Sequence, residues 1–269
     1  MEHLYRELAP ITAAAWPEIE KDAKRTLKTI CAARKLVDFV GPLGWEASAV
    51  SKGRVTPVAA PASGSPQANL RQLLPLVELR EPFEMDRKEL DALDRGAQDF
   101  DTDPVIAAAR AIAIAEDRAV FHGYPPVGIE GICAGSTQPT VQLSDDYTAY
   151  PELVTAALNH LRDAGVDGPY AVALSERCYT GLMEARVAGY PVLEHVRRLI
   201  DGPLVWAPGL DGAVVMSMRG DDFQLTIGQD FSIGYLDHDA RTVQLYIEES
   251  FTFWLLSPQA AVPLTFPTA

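Results

Sequence analysis

The residues best suited to bind a metal ion or to act as nucleophiles are the five histidines and three cysteines of the chain. None of them stands at the CxxC or HExxH spacing that places two ligands on one metal ion. The cysteines are odd in number and far apart in the sequence, which indicates reduced thiols rather than a disulfide framework. We therefore predict no metal site and no cofactor. The residues are His3, His122, His160, His195, His238, Cys31, Cys133 and Cys178.

Three aspartates at alternate positions resemble the start of a calcium-binding loop. They are Asp99, Asp101 and Asp103. Such a loop needs a glycine at its sixth position and a glutamate at its twelfth, where this chain has Pro104 and Arg110. The aspartates are better explained as residues that cap the helix beginning near Pro104.

Patterns typical of acid–base or nucleophilic catalysis are missing as well. Glu194 and His195 are adjacent, but Arg197 and Arg198 follow them on the same predicted helix, which indicates a solvent-exposed surface. Ser136 does not lie in a GxSxG motif, and the glycines near it lack the GxGxxG spacing of a phosphate-binding loop. We predict no catalytic residue and expect a protein that is not an enzyme.

The composition is that of a soluble protein that binds neither nucleic acid nor membranes. The chain has 269 residues and a formal net charge of −14, from 37 acidic and 23 basic residues, and this charge opposes contact with a phosphate backbone. No stretch approaches the ~18 consecutive apolar residues of a membrane span. The segment MEHLYRELAP lacks the basic and apolar parts of a signal peptide, so we expect a cytoplasmic protein.

The elements that would position any site follow a mixed pattern of helices and strands. Apolar residues at spacings of three and four predict an amphipathic helix over about residues 13–34. Alanine-rich residues 104–121 predict a central helix that packs closely against its neighbours. Residues 46–71 are rich in proline and glycine and too long for an ordinary loop, which favours a projecting hairpin arm. Strands and helices alternate between residues 132 and 219.

The last fifty residues carry the clearest periodic signal. Two long stretches between Phe223 and Leu256 alternate with period two, and a short polar turn joins them. The second stretch would span about 45 Å as a half-buried strand. A strand of this length is typical of an elongated subunit with neighbours along its length. The sequence therefore favours an assembling protein over an enzyme.

Seven segments, in one order along the chain, together carry a family resemblance. They are RELAPIT (6–12), ARKLVDFVGPLGWE (33–46), LPLVELREPFEMD (74–86), ELDALDRG (89–96), GPYAVAL (168–174), YPVLEHVRRLIDG (190–202) and GDDFQLTIGQDFSIGYLDHDARTVQLYIEESFTFWLLSPQA (220–260). The chain resembles the encapsulins, shell proteins of bacterial nanocompartments, and among them the classical peptide-loaded type once described as linocin-type bacteriocins. The resemblance implies an α+β fold similar to that of tailed-bacteriophage major capsid proteins, with an N-terminal helix, an extended loop, a peripheral domain and an axial domain.

The resemblance also implies how the chain is divided. Residues 1–45 would form the N-terminal helical arm and the start of the peripheral domain, and residues 46–73 the extended loop. The peripheral domain would continue through residues 74–131 with its spine helix. Residues 132–219 would form the axial domain, and residues 220–269 the long strands of the peripheral domain.

The function implied by the resemblance is that of a compartment shell. Copies of the chain would close into a hollow icosahedral shell in the cytosol, most simply of T=1 size. The shell would enclose a cargo enzyme, a dye-decolorising peroxidase or a ferritin-like iron-storage protein, that carries a short terminal targeting peptide. Two alternatives stay open: a phage or prophage major capsid protein, and a secreted bacteriocin-like protein or enzyme.

Two sets of site residues follow from the resemblance by position. An apolar groove flanked by an arginine and an aspartate would bind the extended cargo peptide; alternatively, Phe39 and Ile233 belong to the core and Arg34 pairs locally with Asp38. The loop before YPVLEHVRR would line a pore whose small, uncharged residues favour steric selection. The peptide-binding candidates are Arg34, Asp38, Phe39, Asp230, Ile233 and Tyr235, and the pore candidates are Val187, Ala188, Gly189 and Tyr190.

Overall fold

The computed structural model describes residues 3–59 and 66–267. Two β-sheets with helices packed against them confirm the predicted α+β class. The helices are α1 (Ala15–Ile30), α2 (Arg87–Asp94), α3 (Asp103–His122), α4 (Ile132–Gly135), α5 (Tyr150–Asp163), α6 (Glu176–Glu184) and α7 (Val192–Arg197). The strands are β1 (Asp38–Val40), β2 (Ala49–Val58), β3 (Ala68–Pro75), β4 (Val77–Asp86), β5 (Val141–Gln142), β6 (Tyr170–Leu174), β7 (Arg186–Val187), β8 (Tyr190–Pro191), β9 (Leu204–Trp206), β10 (Ala213–Ser217), β11 (Phe223–Ile227), β12 (Ser232–His238), β13 (Thr242–Leu255) and β14 (Ala261–Thr265).

The first sheet is organised around β13, which has 14 residues. Its order is β1-β11-β13-β12, and β4 pairs along the other edge of β13, so that Phe251 faces Ile227 on one side and Val77 on the other. Helices α1 and α3 pack on one face of this sheet through apolar side chains. The stretch before β13 is two strands, β11 and β12, instead of the single long one predicted.

The second of the two long stretches forms β13, and the prediction that it is half-buried is wrong. Every residue of β13 from Leu245 to Phe253 is buried, so both of its faces are covered. The face opposite the helices carries Glu248, which His3 contacts at 2.9 Å while the His3 ring stacks on Trp45. Alternation identified the strand, but the cover on its polar face comes from residues far away in the sequence.

Helix α1 ends earlier than its apolar pattern predicts because a buried carboxylate binds the chain after it. Oδ1 of Asp117 on α3 accepts hydrogen bonds from the backbone N–H groups of Ala32 and Ala33 at 3.1 and 2.9 Å. Ile30 is therefore the last helical residue instead of Arg34. Pro17 falls in the first turn of α1, where the backbone N–H has no partner within the helix, so it breaks no helical hydrogen bond.

The second sheet has the order β5-β14-β10-β6-β9, and α5, α6 and α7 lie beside it. Its central strands β6 and β10 are buried along their full length. Residues of both sheets, such as Val172 and Phe251, share one apolar core. The last strand, β14, pairs with β10 and β5 in this second sheet. Within residues 220–269, which are predicted to be long strands of the peripheral domain, β11, β12 and β13 thus belong to the first sheet and β14 to the second.

The hairpin arm predicted near residues 46–71 is present in the described residues. Strand β2 pairs antiparallel with β3, with an irregularity between Ser51 and Val55. Most side chains on both faces of the arm are exposed, among them Val58, Leu70 and Leu73. The end of the hairpin, residues 60–65, lies outside the described residues.

The three cysteines all lie within the described residues, and none of them is part of a disulfide. Cys31 and Cys178 are buried, and Cys133 is half-buried. Burial raises the pKa of the Cys31 thiol, and the negative charge of Glu116 raises it further. Among residues 3–59 and 66–267, no helix has the length and apolar character needed to cross a membrane.

Candidate functional site

The guanidinium group of Arg34 is the centre of a polar cluster just after α1. Its Nε lies 2.9 Å from both carboxylate oxygens of Glu116, and its Nη2 lies 2.6 Å from Oε2 of the same residue. Nη2 also donates to Oε2 of Glu249 at 3.0 Å, and Nη1 donates to Oδ1 of Asp230 at 2.7 Å. Glu116 and Glu249 are fully buried, whereas the Asp230 side chain is 44% exposed. Arg34 thus connects the interior of the subunit to its surface.

Two buried carboxylates share this one cation. Burial raises the pKa of Glu249 well above its ordinary value, and the neighbouring Glu116 raises it further against the opposing effect of Arg34. Oε1 of Glu249 has no hydrogen-bond partner among the described residues, which also disfavours the charged form of this buried carboxyl. Burial lowers the pKa of Arg34, but the hydrogen bond and charge of Glu116 outweigh burial and raise it. Arg34 therefore remains a fixed positive group.

Two aromatic rings flank Arg34 on its accessible side. Its guanidinium carbon lies 4.2 Å from the ring centroid of Phe231 and 5.4 Å from that of Phe39, which is 41% exposed. A cation held between ring faces keeps the rings in place and adds a modest stabilisation. The structure therefore brings Arg34, Phe39 and Asp230 together at one surface.

A cavity of about 150 Å³ lies between α1 and β12 beside this cluster, and we call it the α1–β12 groove. Ile233 lines it, and Phe231 belongs to both the groove and the Arg34 cluster. Phe231 was missed by sequence analysis, although it stands between the two predicted residues Asp230 and Ile233. The groove is walled by Leu4, Ala23, Leu27, Phe231, Ile233 and Ile247 and rimmed by Arg6, Glu20, Lys24 and Ser232.

The remaining peptide-binding candidates lie at the edges of this surface or away from it. The Tyr235 hydroxyl contacts Nδ1 of His238, and its backbone N–H donates to the carbonyl of Leu4 at 2.9 Å. Oδ2 of Asp38 accepts from the backbone N–H of Asp221 at 2.7 Å, so Asp38 supports a turn instead of the cluster. The alternative in which Arg34 pairs with Asp38 is wrong, because other carboxylates hold every nitrogen of the guanidinium group.

The four pore candidates form a tight hairpin. Strands β7 and β8 pair through Val187 and Tyr190, and Ala188 and Gly189 make the two-residue turn between them. Both turn residues have positive φ, 50° and 84°, as a type I′ turn requires. Ala188 carries a strain that glycine at this position would not. Tyr190 is 62% exposed, and Nη1 of the exposed Arg186 in β7 lies 3.5 Å from the carbonyl oxygen of Gly189. The hairpin therefore presents an aromatic ring together with one positive charge.

Catalytic chemistry finds little support in the described residues. The described residues contain no group of three or more histidine, cysteine, aspartate or glutamate side chains that could hold a metal ion. Glu194 pairs with Arg197 at 2.7 Å on an exposed face, as the sequence predicts. Of the aspartates near residue 100, Asp101 accepts a hydrogen bond through Oδ1 from the N–H of Asp103, the first residue of α3, at 2.9 Å. The N-cap of α3 is Thr102, which makes no side-chain capping bond, so the predicted capping of this helix by Asp103 is wrong.

Comparison with known proteins identifies relatives along almost the whole chain. Residues 1–252 match the family model described as encapsulating protein for peroxidase. The type 1 encapsulin shell protein of Rhodospirillum rubrum is 56% identical over 270 residues, covering 98% of this chain and 96% of the relative. The type 1 encapsulin shell protein of Mycobacterium tuberculosis is 47% identical over 265 residues, covering 98% of this chain and 100% of the relative.

Solved structures with little sequence identity share the fold. A virus-like particle from Pyrococcus furiosus matches with a TM-score of 0.62 at 15% identity, covering 92% of this chain and 98% of that chain. Gordonia phage Cozz matches with a TM-score of 0.56 at 13% identity, covering 89% and 87%. The predicted capsid-like fold is therefore confirmed. Together with the family match and the high identity along the chain, these findings show that the chain belongs to the type 1 encapsulin shell protein family.

Proposed function

We propose that copies of this chain close into a hollow icosahedral shell, of T=1 size, that encloses a cargo enzyme in the cytoplasm. The family model describes an encapsulating protein for peroxidase, and the relatives at 46–56% identity are named as shell proteins. A heterologous contact whose rotations close gives a finite particle instead of a filament. Many moderate contacts per subunit then act jointly to stabilise it.

The observation that carries this proposal is the opposite charge of the arm and the body. Residues 47–77, which include β2 and β3, contain three basic residues and no acidic one. Because the whole chain has a net charge of −14, the remainder carries −17. The arm also exposes Leu70 and Leu73 on a hairpin that covers little of its own subunit. A basic, apolar arm on an acidic body complements a second copy of the same chain.

Neutralising the arm tests this complementarity. The triple variant Lys52→Gln, Arg54→Gln, Arg71→Gln removes its positive charges and should prevent or strongly weaken shell formation. The matched control Lys21→Gln, Arg25→Gln, Lys28→Gln changes the net charge equally on the exposed face of α1 and should assemble normally. Sedimentation velocity and negative-stain microscopy would measure both. Wild-type protein that sediments only as a monomer or dimer would refute the proposed shell.

The same particles can be used to determine the size of the shell and to distinguish a compartment shell from a phage capsid. Particle mass from native mass spectrometry would test T=1 against larger shells. A phage capsid protein with this fold would assemble with scaffold and portal proteins, so closed particles from the purified chain alone favour the compartment.

Cargo capture at the Arg34 surface is the second part of the proposal. A fixed cation, two aromatic rings and an adjoining apolar groove suit an extended peptide that carries apolar side chains. A peroxidase is the first candidate cargo and a ferritin-like protein the second. Shells purified from the native host would identify the cargo, and stepwise truncation of its termini would define the segment needed for loading. Loading that survives removal of both termini would contradict the targeting-peptide mechanism.

The hairpin at Val187–Tyr190 is proposed as the lining of a pore through which small substrates pass. Gly189→Trp would place a large ring beside Tyr190 and should slow the passage of bulky substrates most. Turnover by enclosed cargo, measured with substrates of increasing size, tests this. Unchanged turnover for every size would contradict a pore at this hairpin.

A further inference from the structure

The residues His3–Leu8 cross the outer edge of β12, and we call them the N-terminal strap. Leu4 is buried, and its carbonyl accepts a hydrogen bond from the backbone N–H of Tyr235 on β12 at 2.9 Å. Further along the strap, Arg6 pairs with Glu20 of α1 at 2.6 Å. The strap thus covers part of a strand edge that no other strand of the described residues covers.

The backbone of the strap is strained at Tyr5. This residue has a φ of 50° and a ψ of 24°, in the left-handed region, which is unfavourable for any residue with a Cβ atom. Such a conformation persists only where the surrounding structure holds it. The Tyr5 side chain is itself 48% exposed, so the attachments on either side of it hold the strap in place.

The attachment at the start of the strap is a contact between His3 and a buried carboxylate. Nε2 of His3 lies 2.9 Å from Oε1 of the fully buried Glu248, and the His3 ring stacks on Trp45 with centroids 4.0 Å apart. Nε of Arg80 lies 3.0 Å from Oε2 of Glu248 but makes no hydrogen bond to it. Within the part of the chain that the structure describes, His3 therefore makes the one hydrogen bond that the Glu248 carboxylate accepts. If the strap lifts, this buried carboxylate loses that bond.

The charges around this pair leave the His3 imidazole as the group that can strengthen or weaken it. The other charged and titratable groups here are Arg80 and Glu78 on β4, Tyr246 on β13 and Tyr5 in the strap. Arg80 is partly exposed and divides its charge between Glu248 and Glu78. Burial raises the pKa of Glu248, whereas the charges of Arg80 and His3 lower it. A histidine gains its charge as the pH falls from about 8 to 5, so the pair changes from a neutral hydrogen bond to a charged one.

We propose that the N-terminal strap is a latch that the charge of His3 opens and closes. With the imidazole charged, its bond to Glu248 holds the strained strap closed over the edge of β12. When the imidazole loses its proton, the bond weakens, and the strap opens more often and exposes that edge. The closed strap binds more protons than the open one, so a falling pH favours closing. The latch belongs to the subunit and does not depend on the proposed cargo.

Hydrogen exchange of the Tyr235 amide measures the opening of the strap, because this amide donates to Leu4 when the strap is closed. The quantity compared is the protection factor, the ratio of the intrinsic exchange rate to the measured one at each pH. In the wild-type protein it should fall about tenfold when the pH is raised from about 6 to 8, since a hydrogen bond to a charged group contributes more than a neutral one. A protection factor that does not change over this range would overturn the proposal.

Two variants separate the charge of the pair from its hydrogen bond. His3→Gln keeps a hydrogen-bond donor but cannot gain a charge, so its protection factor at Tyr235 should stay at the low wild-type value of pH 8 throughout. Glu248→Gln removes the charge of the acceptor and should abolish the pH dependence as well. The matched control His160→Gln removes a histidine from α5, beside the other sheet, and should keep the wild-type profile. A wild-type profile in His3→Gln would show that another group controls the strap and would overturn the latch.

Discussion

The hairpin arm and β13 are both built from extended chain, yet their surroundings are opposite. Each residue of β13 from Leu245 to Phe253 is buried within its own subunit. Most side chains of β2 and β3 are exposed, including Leu70 at 64%. An isolated two-stranded hairpin is marginally stable in water. The comparison teaches that β13 is stabilised by the fold of one subunit, whereas the arm depends for its stability on the contact with a second copy that we propose.

The largest difference should come from removing one apolar side chain in each region. Phe251→Ala leaves a cavity under β13 and should lower the free energy of unfolding by about 3–5 kcal/mol. Leu70→Ala in the arm should change it by less than about 0.5 kcal/mol but weaken assembly. Urea unfolding of dissociated subunits measures the first quantity, and sedimentation of assembled material the second. Equal destabilisation of the subunit by both changes would break the comparison.

The next test concerns the buried ion cluster of Arg34, Glu116 and Glu249 beside β13. Arg34→Met leaves Glu116 and Glu249 without their cation and should cost about 3–5 kcal/mol of subunit stability. Lowering the pH should restore part of the loss in this variant, because protonation removes the uncompensated charges.

The control for that change is an exposed ion pair of similar geometry. Arg197→Met breaks the contact with Glu194 on the surface and should leave urea unfolding unchanged. If Arg34→Met proved as mild as Arg197→Met, the polar cluster would not contribute to the stability of the subunit.

At Asp117 we expect a smaller change in subunit stability, which shows itself in the pH dependence of the free energy of unfolding. Burial raises its pKa to about 7 despite two backbone hydrogen bonds that lower it, whereas its ordinary value is 3.8. Between about pH 7 and pH 4 the folded chain holds a proton on Asp117 that the unfolded chain does not hold. The free energy of unfolding therefore rises as the pH falls through this range. Asp117→Asn should reduce the pH dependence of the free energy of unfolding, measured by urea, by the part that Asp117 contributes; the part due to Glu249 should remain. A variant with the same slope as the wild type would refute this assignment.

The smallest effect concerns the backbone of the arm. Gly53 has a φ of 67° in the irregular part of β2, and a Cβ there would meet no atom. Gly53→Ala therefore adds only backbone strain, of about 1–2 kcal/mol. It should reduce assembly slightly without changing the unfolding of the dissociated subunit. A lowered subunit stability would show that the arm belongs to the same cooperative unit as β13.

Residue spacing and composition predict an element correctly when its burial depends only on its own neighbours in the sequence. The alanine-rich helix α3 and the hairpin arm were both predictable from spacing and composition. The end of α1 was not, because Asp117, which binds Ala32 and Ala33, lies about 85 residues away. The cover on the second face of β13 depends similarly on His3, 245 residues from Glu248.

The candidate site could be predicted only in part for the same reason. The resemblance gave Arg34 and Asp230, which the structure brings together at 2.7 Å. It gave neither Glu116 nor Glu249, since nothing in the local sequence links a charged residue on α3 to one on β13. The sequence did not identify Phe231 and Leu4 as residues that line the α1–β12 groove. A single apolar residue next to a turn has the same local pattern as a residue of the hydrophobic core. They line the groove because β12 is an edge strand of the first sheet, which the local sequence does not reveal.

The placement of the cysteines makes the arm easy to follow by spectroscopy. Cys31 and Cys178 are enclosed, and burial raises the pKa of Cys133 to about 12, which keeps that thiol unreactive at neutral pH. A thiol introduced at Val55, which is 55% exposed in β2, would react with a maleimide dye almost without background. The colour and anisotropy of that dye would then follow, in real time, the moment at which one subunit meets the next.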